Sequence, residues 1–105
     1  MKNIPLFLLL ALVSTSALAV RTDCPSAKIV HIQMEGTKIM YLQEGAPWRT
    51  LGYINSNDGT KERYSALLTA QATGSKVIVG YSGDDYDCGK TNYSTAAYMV
   101  RTFSQ

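Results

Sequence analysis

The chain has 105 residues, 46% of them hydrophobic, with ten Lys+Arg against eight Asp+Glu and a formal charge of +2. That length makes one small domain, and a core of that size often needs a covalent staple or partners. The basic residues are spread thinly from Lys28 to Arg101, which argues against the concentrated positive groove that single-stranded nucleic acid requires, so no nucleic-acid partner is expected.

The first segment, "MKNIPLFLLLALVSTSALA", places Lys2 before an apolar run from Ile4 to Val13 and closes on the small residues Ala17 and Ala19. This pattern predicts a secretory signal peptide over 1–19, and a mature domain over 20–105 with a charge near +1 once Lys2 is lost. A membrane-spanning helix needs about 20 apolar residues. The run here stops at Ser14, so the expected product is secreted or periplasmic, with no membrane span after cleavage. The two cysteines, Cys24 and Cys88, both lie in the mature part. Export to an oxidising compartment favours one disulfide between them. Metal ligation by both thiolates is the alternative, but no CxxC motif accompanies them and His31 is the only histidine, so neither metal nor cofactor is expected.

Along the mature chain, "KIVHIQME" (28–35) alternates, with Val30, Ile32 and Met34 on one face and Ile29, His31, Gln33 and Glu35 on the other, which predicts a half-buried strand. Gly36 and Thr37 form a short turn into "KIMYLQ" (38–43), and "EGAP" breaks the chain before a third strand, "WRTLGYIN" (48–55). "NSNDG" offers capping residues. From Lys61 the apolar spacing becomes helical, through Tyr64, Leu67, Leu68 and Gln71 or Ala72, with both leucines assigned to the core and Gly74 placed to end the helix. "SKVIVGY" (75–81) is a β-branched strand, and "AAYMVRTF" (96–103) is the last. The order β-β-β-α-β-β predicts a mostly β domain with one helix. It is the order of the five-stranded Greek-key barrel of oligonucleotide- and oligosaccharide-binding (OB) type, with an open α+β sandwich as the competing architecture.

The stretch "RYSALLTAQATGSKVIVGY" (63–81), preceded by "WRTLGYINSN", resembles the helix-to-strand segment of the subtilase cytotoxin B-subunit family. The likeness lies in an aromatic, a Leu-Leu pair, Ala-Gln-Ala, then Thr-Gly and an alternating strand. It implies an OB-type barrel, a homopentameric ring, a toxin A subunit as partner and binding of sialylated glycans on host surfaces. No ligand-binding residue is carried over from it.

The segment "YSGDDYDCGK" (81–90) concentrates the candidate chemistry. Asp84, Asp85 and Asp87 are hard oxygen donors, but Gly83 precedes them and Lys90 follows, which is not the spacing of an EF-hand calcium loop. Adjacent carboxylates on a loop do not form an opposed acid–base pair, and no nucleophile-elbow motif accompanies Ser82 or Ser94, so the protein is expected not to be an enzyme. Sugar recognition asks for flat aromatics with carboxylates and hydroxyls on a rigid lip. Tyr81, Ser82, Asp84, Asp85 and Tyr86, with Trp48 nearby, are the ligand-binding candidates, and the alternative is a tethered turn without a ligand. The expected function is binding of a glycan or cell-surface receptor, against a standalone secreted or periplasmic protein that binds a protein partner without a toxin subunit.

Overall fold

The computed structural model describes residues 20–104, so the expected signal peptide lies outside the described residues. Its elements in chain order are β1 (Arg21–Asp23), β2 (Ala27–Glu35), β3 (Lys38–Gln43), β4 (Arg49–Tyr53), α1 (Thr60–Thr73), β5 (Lys76–Ser82) and β6 (Met99–Thr102). The fold is mostly β with one helix, as the sequence predicts.

All six strands join one antiparallel sheet. β1 and β2 are two lengths of one path along β5: Arg21–Asp23 pair with Ser82–Gly80, the Cys24 amide donates to the Val79 carbonyl, and Ala27 and Lys28 pair with Val77 and Lys76. β6 lines the opposite edge of β5, and β2, β3 and β4 form a meander. The β2–β3 turn is tight, with Glu35 opposite Lys38 and Gly36 at φ 59°, the first position of a type II′ hairpin turn.

This is the strand order of an OB-type barrel, but the sheet is not closed. Where β4 and the last strand should pair, only isolated bonds join the edges: Asn92 N to Trp48 O at 3.1 Å, Thr50 Oγ1 to Asn92 O at 3.0 Å, and Ala97 N to Leu51 O at 2.8 Å. Residues 92–97 are therefore held against β4 without forming a ladder.

α1 packs on the sheet through Leu67 and Ala70, which join Ile29, Ile39, Leu51, Val77 and Val79 in the core. Its first residue, Thr60, is buried over Gly52 of β4, where a Cβ would fall 2.5 Å from Thr60 Oγ1. Asp58 Oδ1 accepts from Thr60 N at 3.1 Å and Oγ1 at 2.7 Å, satisfying an early helix donor. Gly74, at φ 74°, returns its amide to Ala70 O and ends the helix.

Four expectations need correction. A short strand, β1, precedes the first one expected. A bulge between Ile29 and His31 exchanges the roles of two neighbours: Ile29 enters the core, while Val30 leaves the apolar face and is 40% exposed. Leu68 does not share the burial of Leu67; it is 42% exposed, because consecutive helical residues point about 100° apart. The last strand is shorter than 96–103, since residues 96–98 are bound to β4 and β5 only singly.

Candidate functional site

The loop between β5 and β6 is fixed from several directions. Cys88 is bonded to Cys24, with the Cα atoms 5.6 Å apart, as the cysteine count predicts. Arg49 of β4, almost fully buried, donates through Nη2 to the Cys88 carbonyl at 2.6 Å and through Nη1 to Gln43 Oε1 at 2.8 Å. The Gln43 amide in turn donates to Ala27 O at 3.1 Å and Val77 O at 3.0 Å. One buried polar chain therefore ties β2 and β5 to the loop. The ring of Tyr86 lies flat on that of Tyr81, with centroids 3.7 Å apart and an interplanar angle of 2°.

Turn chemistry does the rest. Asp87 Oδ1 accepts from Gly89 N at 2.9 Å, and Asn92 Oδ1 accepts from Ser94 N at 3.0 Å and Thr95 N at 2.8 Å. These side chains stand in for backbone partners in tight bends.

The result is a polar pocket of about 360 Å³. Three of the expected ligand residues line it: Ser82, Asp85 and Tyr86. Asp87, Lys90, Thr91, Asn92 and Thr95 complete it, so both charge signs, hydroxyls and an amide face one space. Asp84 is exposed on the same loop but outside the lining. Tyr81 is fully buried, so it supports the pocket from below instead of presenting a surface. Trp48 also stands apart, stacked on His31 with centroids 6.3 Å apart. Its connection to the loop is its carbonyl, which holds Asn92.

Beneath the pocket three tyrosines share one environment. Tyr81 OH donates to Thr50 O at 2.8 Å, so the 2.8 Å contact between hydroxyls is Tyr41 donating to Tyr81. Burial pushes Tyr41 up to about 12, and raises Tyr81 and Tyr86 as well.

Lys90, Thr91 and Thr95, which line the pocket after the cysteine, are not among the residues assigned from sequence. Their signal was the tether: a loop pinned at Cys88 must fold back from that point to reach β6.

Among the described residues no group of three or more His, Cys, Asp or Glu side chains is placed to hold a metal ion, and no helix is long and apolar enough to cross a membrane. No family model matches the chain, and no curated protein or solved structure matches it.

Proposed function

We propose that the protein is an exported, non-enzymatic binding module that recognises a glycan or a glycan-bearing receptor through the pocket under the β5–β6 loop. One observation carries the reading: Ser82, Asp85, Lys90, Thr91, Asn92 and Thr95 converge on a polar space whose floor is fixed by a disulfide, a buried arginine and a tyrosine stack. Such a surface offers hydroxyl-binding acceptors and donors with little ordering cost on binding. Tyr86 is half-buried and borders the space, so its ring supplies an aromatic contact there.

The resemblance to toxin B subunits adds a ring of five copies and a toxin A subunit to this proposal. Multivalency would raise weak single-site affinity for a glycan surface. Light scattering on the purified protein checks the ring: a mass five times that of the mature chain is expected, and a concentration-independent monomer overturns it. A second reading, a standalone protein-binding module, is favoured by the exposed apolar residues Val30 and Leu68 on β2 and α1, which adjoin where Gln71 Nε2 donates to Val30 O at 3.2 Å.

A glycan array with the wild-type protein, Asp85→Ala and Lys90→Ala tests the function. Both substituted side chains are exposed. Signal lost in the folded variants supports the pocket. An array without any wild-type signal favours the protein-binding reading, and signal that survives both changes moves the site towards Trp48.

A further inference from the structure

A second hollow, of about 320 Å³, lies on the other side of Cys88, between the β1–β2 bend, the turn after β3 and the Cys88–Gly89 backbone. It shares no lining residue with the polar pocket. Pro25, Ala27, Ala46 and Pro47 give it apolar walls, and Arg49 borders it.

Arg49 is 2% exposed, and neither ion pair among the described residues, Arg21 with Asp23 or Arg63 with Asp58, includes its guanidinium, which is charged at neutral pH. The acceptors of its two Nη atoms, Gln43 Oε1 and the Cys88 carbonyl, are neutral, as is the Tyr41 hydroxyl it also faces, and its Nε has no hydrogen-bond partner. The adjacent Tyr41 cannot supply a negative charge at neutral pH, since burial holds its hydroxyl protonated to about pH 12. A buried guanidinium in this state is strongly poised to accept an anion.

We propose that this hollow binds a small monocarboxylate, its carboxylate pairing with Arg49 and its short aliphatic body lying against Pro25, Ala46 and Pro47. The planar fork of a guanidinium matches carboxylate and phosphate alike. Two features of the hollow choose between them. Its apolar walls suit an aliphatic body, and Glu44, exposed at the rim, repels an anion carrying two charges about twice as strongly as one carrying a single charge. The volume is at the small end of ligand pockets, which begin at about 300 Å³. The proposal stands independently of glycan binding, because the two spaces are separate.

The test is an amide-resolved NMR titration of the disulfide-intact protein with sodium propionate, against sodium chloride at equal ionic strength and against sodium phosphate. Propionate is expected to give saturable shifts at Gly45, Ala46 and Gly89, with phosphate weaker. Ala46→Leu, which fills part of the hollow while keeping the guanidinium, should weaken propionate by about tenfold or more. Arg49→Lys, if it folds, should weaken it comparably by removing the fork. The proposal is overturned by shifts that do not saturate or that match those of chloride. Tighter binding of phosphate than propionate, or propionate binding unchanged in Ala46→Leu, overturns it equally.

Discussion

Tyr41, Tyr81 and Tyr86 set a direction for the pH dependence of stability. A tyrosine in an unfolded chain titrates near about 10, whereas burial lifts Tyr41 to about 12 and raises the other two. Between those values the folded state binds more protons than the unfolded state, so stability falls as pH rises. It is fully present below about pH 10 and is lost as pH passes through the folded-state value. Denaturant melts at rising pH should therefore hold level to about pH 10 and then decline, with tyrosinate absorbance from the buried Tyr41 and Tyr81 appearing later than that of the exposed tyrosines. A flat profile to pH 12 would contradict the buried cluster. The burial of Tyr81 was itself legible: alternation along "VIVGY" places it on the face of Val77 and Val79, both fully buried. Its polar neighbours in sequence drew it into the ligand reading instead. Arg49 gave no such signal, because nothing in "PWRTL" distinguishes an arginine that faces solvent from one that reaches a carbonyl 39 positions away.

At the scale of elements, α1 gives a pair of opposite expectations from two adjacent leucines. Leu67→Ala empties a fully buried site and should cost about 2–5 kcal/mol in urea melts. Leu68→Ala, at a side chain 42% exposed, should stay within about 0.5 kcal/mol. Equal losses would mean that the helix is rotated from the position described. Gly52→Ala probes the same contact from the sheet: a Cβ there would meet Thr60 Oγ1 at 2.5 Å and lever the start of the helix away from β4. A loss of about 1–3 kcal/mol is expected, as for other overpacked sites, and an unchanged midpoint would show that Thr60 yields freely. The helix was readable because its period and its terminal glycine agree. β1 was not, since "RTD" has only three residues, two of them charged, and becomes a strand through pairing with Ser82–Gly80. The bulge in β2 was hidden for a related reason: it depends on register against β3, which local alternation does not encode.

For the whole molecule, the disulfide and the open seam between β4 and residues 92–97 form one argument. An unclosed barrel leaves the segment from Gly83 to Tyr98 without a strand ladder, so its position rests on scattered contacts: the Cys24–Cys88 bond, Arg49 to the Cys88 carbonyl, the Tyr81–Tyr86 stack and the few bonds to β4. Of these only the disulfide is covalent. It spans a sequence separation of 64 residues, and closing a loop of that size stabilises by about 4 kcal/mol in the chain-entropy model. Replacing both cysteines by serine should therefore lower stability by up to about that amount. The loss should also be uneven. β2 and β3 pair over six positions through their own ladder, so their amides should keep most of their protection from hydrogen exchange as long as the variant folds. The amides of Asn92 and Ala97, whose acceptors are the Trp48 carbonyl just before β4 and the Leu51 carbonyl within it, should exchange earlier than those of β3. The polar pocket would then widen, and affinity for the glycan proposed to bind there would fall further than global stability does. Uniform loss of protection across the chain would overturn this account, because it would mean that the loop and the sheet unfold as one unit and that the bond stabilises the whole domain without positioning the pocket.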